Sequence, residues 1–476
     1  MAFTEIEFLI FVAICALVYR ITRFKWQFLL MASFFYYGLY DVRAFIYLLI
    51  TILTTFIGGK LIYKSKSKFL TFLVLLINFG MLSFVKFTDF TIFSLAIPLG
   101  ISFYIFQSTS YVIDLYRKKY KPQENIFKYA LFVSFFPQIV QGPISRYDEL
   151  APMLYSDECT SEDFSHGLML MLYGYFKKLV IADRAAVLVG NVFSNPDDFS
   201  GLFVFVAIIF YSIQIYCDFS GGIDIARGVA YLFGIRLAEN FRRPFLATSI
   251  GDFWRRWHIT LGSWMREYVF YPLSFTKFFA YLNKKSRKLI GRRAGKFLTL
   301  TISTYVVYLI IGIWHGAGLN FLVFGFYNGT LISLALIFER TFDKWKNTLG
   351  IKKGNKFYHA FQILRTALLV FLGRYFTRSA SLGQALALLK KTFTDFTLTH
   401  SDFGLSVKDL LVIFFATLVV IYISALQEKE INITQKVLNK SIVFQALLIL
   451  SVVLVILYFG VFDKGYTAVE FIYRNY

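Results

Sequence analysis

The chain has 476 residues and a formal net charge of +21, yet only 17% of its residues are charged, while 57% are hydrophobic and 20% aromatic. Soluble domains sit nearer half apolar and a quarter charged, and the mean hydropathy here is +0.59, which excludes a soluble enzyme. Nucleic-acid binding is excluded too: the positive charge falls in short loops between apolar segments, where positive-inside bias and anionic headgroups account for it.

Apolar segments are predicted at 6–19, 26–40, 44–63, 69–85 and 91–114. The first lies beside acidic Glu5 and Glu7 and lacks a basic leader and an A-x-A site, so it reads as a retained span. Arg20, Arg23 and Lys25 follow the first segment, Lys60, Lys64, Lys66 and Lys68 the third, and Arg117, Lys118, Lys119 and Lys121 the fifth. By the positive-inside rule those loops are cytoplasmic and the N-terminus lies outside.

Further segments are predicted at 126–142, 165–182, 201–217 and 222–235. Asp114, Asp218 and Asp224 each close or interrupt an apolar stretch. They read either as functional carboxylates or as helix-end groups and internal ion pairs with a nearby arginine. Cys217 adjoins Asp218 in YCDFSGG, where an acyl-enzyme is conceivable but inert packing is the ordinary role. With Cys15 and Cys159 it makes too few and too scattered a set for a disulfide framework or a zinc site.

Residues 252–273, DFWRRWHITLGSWMREYVFYPL, place Trp254, Trp257, Leu261, Trp264 and Met265 at spacings of three and four. That spacing predicts one amphipathic helix, with an aromatic belt at the interface and Arg255, Arg256 and Arg266 reaching headgroups or an anionic ligand. The densest basic loop, Lys277–Lys296, follows and is expected at the cytoplasm. Phe297–Phe338 then contains no Asp, Glu, Lys or Arg over 42 residues, long enough for two crossings.

Near the middle of that run lies IGIWHGAGLN, 311–320, with His315 between Gly312, Gly316 and Gly318. A neutral imidazole there is either a satisfied core group or a general base for a hydroxyl. His166, His359 and His400 sit in more polar contexts and read as background. Segments at 362–376, 383–390, 408–426 and 441–462 complete the chain. Several segments are short for a full crossing, so tilted, partial or re-entrant helices are expected in an all-α polytopic bundle. A single membrane domain is expected, with N-terminal spans at 1–125, a core at 126–340 and C-terminal spans at 341–476.

Taken together, PLGISFYIFQSTSYVIDLYR (98–117), FFPQIVQGPISRYDEL (135–150), GLMLMLYGYFKKLVIADR (167–184), the long block 216–273 and IGIWHGAGLNFLVFGFYNG (311–329) resemble the membrane-bound O-acyltransferases. The likeness is to their bacterial branch, which modifies alginate, peptidoglycan or teichoic acid. FWRRWH and WHG occur in family order, their histidines 57 residues apart, and the pair is more specific than either alone. The sequence departs after Pro272–Leu273, where relatives often carry a glycine-rich segment, and at Gly222–Ile223.

The resemblance implies a helical bundle around a tunnel in a bacterial plasma membrane, with His315 as the active-site histidine and His258 as its motif-linked partner. Trp314 matches a residue flanking the first, and Glu239, Asn240 and Phe241 match the ENF piece before the first motif. Expected substrate contacts are Arg255, Arg256, Trp257, Trp314, Asn240 and Asp218. Acetyl-CoA is the expected acyl donor, with no bound cofactor or metal. An acyl-carrier protein carrying D-alanine competes as donor, and a polysaccharide hydroxyl, reached directly or through an extracellular SGNH-hydrolase-like partner, is the acceptor. A transporter without acyl transfer is the alternative of another class, although no paired broken repeats are visible.

Overall fold

The computed structural model describes residues 2–40, 42–87, 98–352, 354–398, 400–462 and 471. These residues are 80% helical and include no β-strand. Seven of their helices are long and apolar enough to cross a membrane: Ala44–Ser65, Lys68–Phe87, Gly201–Tyr231, Arg292–His315, Leu319–Thr348, Val407–Glu428 and Ile442–Phe459. The protein is a multi-pass membrane protein, as its composition requires. In lipid every backbone polar group must be met internally, which leaves helices as the available solution for such runs.

The chain divides into two compact units, one of residues 1–185, 213–239 and 406–476, the other of 186–212 and 240–405. In the first unit, the expected span 126–142 is broken: the helix Ile126–Ser134 stops at Phe135, and Phe136–Ile139 forms a separate turn with Pro137 near its start. The start of the segment expected at 91–114 lies outside the described residues. The segment expected at 165–182 runs through Ser161–Tyr175 into a wider π-helical turn at Phe176–Ala182.

That turn carries two adjacent buried lysines. Lys178 Nζ lies 2.6 Å from Asp218 and 2.7 Å from Asp183. Lys177 Nζ lies 2.6 Å from Asp224 and 2.9 Å from the Ser220 hydroxyl. The two segments expected at 201–217 and 222–235 are joined in one helix, Gly201–Tyr231. Gly221 and Gly222 do not end it, because tertiary packing outweighs the roughly 1 kcal/mol cost of a helical glycine. A Cβ on Gly221 would press on the Gly174 carbonyl, so the glycine serves close helix approach.

In the second unit, Arg292–His315 and Leu319–Thr348 form a helical hairpin around residues 316–318. Side chains are excluded along its seam: a Cβ on Gly312 would collide with the Phe321 carbonyl, and one on Gly325 with the Tyr308 carbonyl. The expected basic loop is itself ordered. Lys277–Ile290 is a helix with Phe279 and Ser286 buried, and Phe278 and Leu289 exposed beside Lys284, Lys285 and Lys288. Only Gly291, at φ +88, separates it from the next helix. The helix Lys356–Arg378 packs beside this hairpin, Asn320 Nδ2 donating to the Phe376 and Ser379 carbonyls at 2.9 and 3.1 Å.

Candidate functional site

Residues 252–273 do not form the single amphipathic helix that the spacing from Trp254 to Met265 predicts. Ser249 caps the helix Ile250–Arg256 by accepting the Asp252 N–H, and Trp257 ends it in extended conformation. His258 adopts φ +47, in the left-handed region, and the next helix, Ile259–Met265, starts after it. A non-glycine residue in that region costs about 1–2 kcal/mol. The compensation comes from an extended neighbour at 240–242: Arg242 N–H donates to the Arg256 carbonyl at 2.9 Å, and Ile259 N–H to the Asn240 carbonyl at 3.0 Å. Phe241 and Trp257 pair between them as an isolated β-bridge. Helical periodicity was present, but the ENF segment captures the backbone in the middle of it.

The break turns His258 inward. The residue is only 3% exposed, and burial pushes its pKa down from the ordinary histidine range to about 3. The Asn240 side chain supports it: Oδ1 lies 3.3 Å from His258 Nδ1 and accepts from the Thr260 N–H at 3.0 Å and the Thr260 hydroxyl at 2.9 Å.

His315 reaches the same place from the other motif. It is the last residue of Arg292–His315, half-buried, and Gly316 continues in extended backbone that any residue can adopt. Its imidazole faces an aromatic wall, edge-to-face with Phe324 at 5.6 Å and near-parallel to Phe321 at 6.4 Å. Trp314 joins the two histidines: its indole is 4.9 Å from the His315 ring and 5.9 Å from the His258 ring, T-shaped to both. Two imidazoles that are 57 residues apart in sequence therefore flank one buried indole. One is enclosed and the other half-open, an arrangement suited to hydroxyl and carbonyl chemistry away from bulk water.

The expected interfacial belt is corrected. Trp257 and Trp264 are buried in the second unit, and Trp254 donates its Nε1–H to Asn328 Oδ1 at 3.0 Å. Trp257 and Trp264 fill protein core and Trp254 packs half-buried against it, because the helix break splits the face that their spacing predicts. Trp257 lies under the Arg374 guanidinium at 4.7 Å, in a cation–π contact. Arg374, Asn320 and Asn328 were not singled out by sequence reasoning. Arg374 carried a usable signal, as a charge inside the apolar segment 362–376.

Arg255 and Arg256 diverge. Arg256 Nε lies 3.1 Å from Asp252, with a mostly buried side chain, whereas Arg255 is 65% exposed and 3.5 Å from the same carboxylate. Asp252 thus offsets part of the charge expected to meet an anionic donor. Asp218 belongs to the first unit, and its carboxylate is engaged by Lys178; its surroundings are those of a buried ion pair. Cys217 is buried as well, which fits the packing role.

Comparison with known proteins bears on this arrangement. The model of the MBOAT, membrane-bound O-acyltransferase family, matches residues 123–373, a stretch that includes both histidine motifs. A probable alginate O-acetylase AlgI of Pseudomonas syringae pv. tomato is 32% identical over 61% of this chain and 50% of that protein. The peptidoglycan O-acetyltransferase of Helicobacter pylori is 30% identical over 67% of this chain and 66% of its own. The teichoic acid D-alanyltransferase of Bacillus subtilis is 29% identical over 52% of this chain and 61% of its own. The chain thus spans about half the length of the alginate O-acetylases first matched.

Proposed function

We propose that this chain, which belongs to the membrane-bound O-acyltransferase family, transfers an acyl group from a thioester to a hydroxyl of a cell-surface or secreted polysaccharide. Acetyl from cytoplasmic acetyl-CoA is the group we favour, delivered directly or through an extracellular partner. One observation carries the reading: His258 and His315 flank the single indole of Trp314 inside the region that matches the family.

In this scheme the hydroxyl oxygen attacks the thioester carbonyl carbon while His315 takes the hydroxyl proton. The new C–O bond forms, the C–S bond breaks, and the departing sulfur recovers the proton as a thiol. General-base assistance of this kind contributes about 10²–10⁴-fold. His258 either positions the substrate or polarises the carbonyl. Arg255, the more exposed of the two arginines, meets donor phosphates, and Arg256 stays tied to Asp252.

A second reading, D-alanyl transfer from a carrier protein to teichoic acid, is favoured by the basic face of Lys277–Ile290, which would attract an acidic carrier as readily as a nucleotide. Both readings are tested with purified protein in proteoliposomes supplied with labelled acetyl-CoA or with a D-alanyl carrier thioester, and a polysaccharide or teichoic acid acceptor. Ester-linked acetyl label supports the first reading and D-alanyl label the second. Transfer from neither donor would overturn the acyltransferase assignment.

A further inference from the structure

We propose that Asn240 is a positioning residue that fixes His258 as its Nδ1–H tautomer, so that Nε2 meets substrate only as an acceptor. The inference deepens the acyl-transfer reading and rests on it for its catalytic consequence, but the tautomer itself is argued from hydrogen-bond geometry and burial.

The orientation of an asparagine amide is normally ambiguous, because its oxygen and nitrogen look alike. Here the partners settle it. The Thr260 backbone N–H can only donate, and it lies 3.0 Å from the amide atom assigned as Oδ1. A flipped amide would set two N–H groups against each other. With the oxygen fixed, the assignment that avoids two facing lone pairs places the proton on His258 Nδ1, 3.3 Å away and a longer third donor beside the two from Thr260. A neutral imidazole has one proton, so Nε2 presents a lone pair. Burial keeps the ring neutral, so that assignment holds across the physiological range.

The consequence separates the two roles open to His258. Polarising a thioester carbonyl requires an N–H donor, and this Nε2 has none to give. Holding a hydroxyl requires an acceptor, which it supplies. Asn240 also retains an unused donor: its Nδ2 is buried with no hydrogen-bond partner among the described residues, and the residue is only 1% exposed. An unmet buried N–H costs about 1–3 kcal/mol, and the carbonyl oxygen of a bound ligand would offset that cost. The amide thus sets the acceptor on the imidazole and provides a donor beside it.

The test is ¹⁵N NMR of the full chain with labelled histidine in nanodiscs, the His258 signals being identified by their loss in His258→Gln. The expected long-range ¹H–¹⁵N pattern places the proton on Nδ1; a proton on Nε2 overturns the proposal. A second arm uses Asn240→Asp, which retains an acceptor for Thr260 but sets a carboxylate beside the ring. Its charge should raise the His258 titration, read from the same ¹⁵N signals, by about one unit or more. Asn240→Ala should instead lose the tautomer preference. Unchanged titration in Asn240→Asp, or an unchanged tautomer in Asn240→Ala, contradicts the role. Because the NMR arm needs no turnover, absence of acyl transfer would sink the functional reading and leave the tautomer question separately answered.

Discussion

His258 combines a left-handed backbone with a buried ring, and each can be measured separately. Asparagine tolerates φ near +50 whereas a β-branched residue does not. Both His258→Asn and His258→Val lose the buried ring, so the backbone term is their difference: the valine variant should melt below the asparagine one by about 1–2 kcal/mol or more of stability in detergent. Equal melting of the two would contradict the backbone argument. The ring adds a pH dependence. In the unfolded chain it takes a proton near pH 6.5, whereas in the folded protein burial delays this to about pH 3. Between those values the unfolded state binds the extra proton. Stability from this residue is thus complete above pH 6.5 and falls with acidity, by up to about 1.4 kcal/mol per pH unit. Melting scanned from neutral to acid pH should fall more steeply in the parent than in His258→Asn, and parallel curves would contradict it.

At the scale of elements, the hairpin that presents His315 depends on close backbone approach. Gly312 abuts the Phe321 carbonyl, so Gly312→Val must force the helices apart. An expected loss of about 1–3 kcal/mol should appear in melting together with reduced transfer; full stability would contradict the seam. The sequence marked this element well, since its long charge-free run and the glycines around His315 predict paired helices. Residues 250–265 were less legible. Their three- and four-residue spacing is a true helical signal, but hydrogen bonds to Asn240 and Arg242, from a different part of the chain, break it at Trp257. Local periodicity holds no record of such a partner. Burial of Trp257 and Trp264 was hidden for the same reason, because an interfacial tryptophan and a core tryptophan have the same pattern.

Across the whole molecule, composition announced the membrane class and the two histidine motifs announced the family, because both signals are carried by the chain itself. Buried charge pairing in the first unit was only partly legible: Asp218 and Asp224 stood out, but their lysine partners on the π-helical turn did not. Lys178 is 1% exposed between Asp183 and Asp218. Removing one partner of a buried pair costs about 3–5 kcal/mol, so Lys178→Met should lower folded yield sharply, and Asp218→Asn should restore part of it. No rescue would argue against that pairing. The central claim, that His315 is the base of an acyl transfer, is tested most directly by the rate of labelled acetyl transfer in proteoliposomes containing the parent or His315→Ala. With folding matched by melting temperature, the variant should lose about 10²–10⁴-fold in turnover, and turnover equal to the parent's would contradict the assignment.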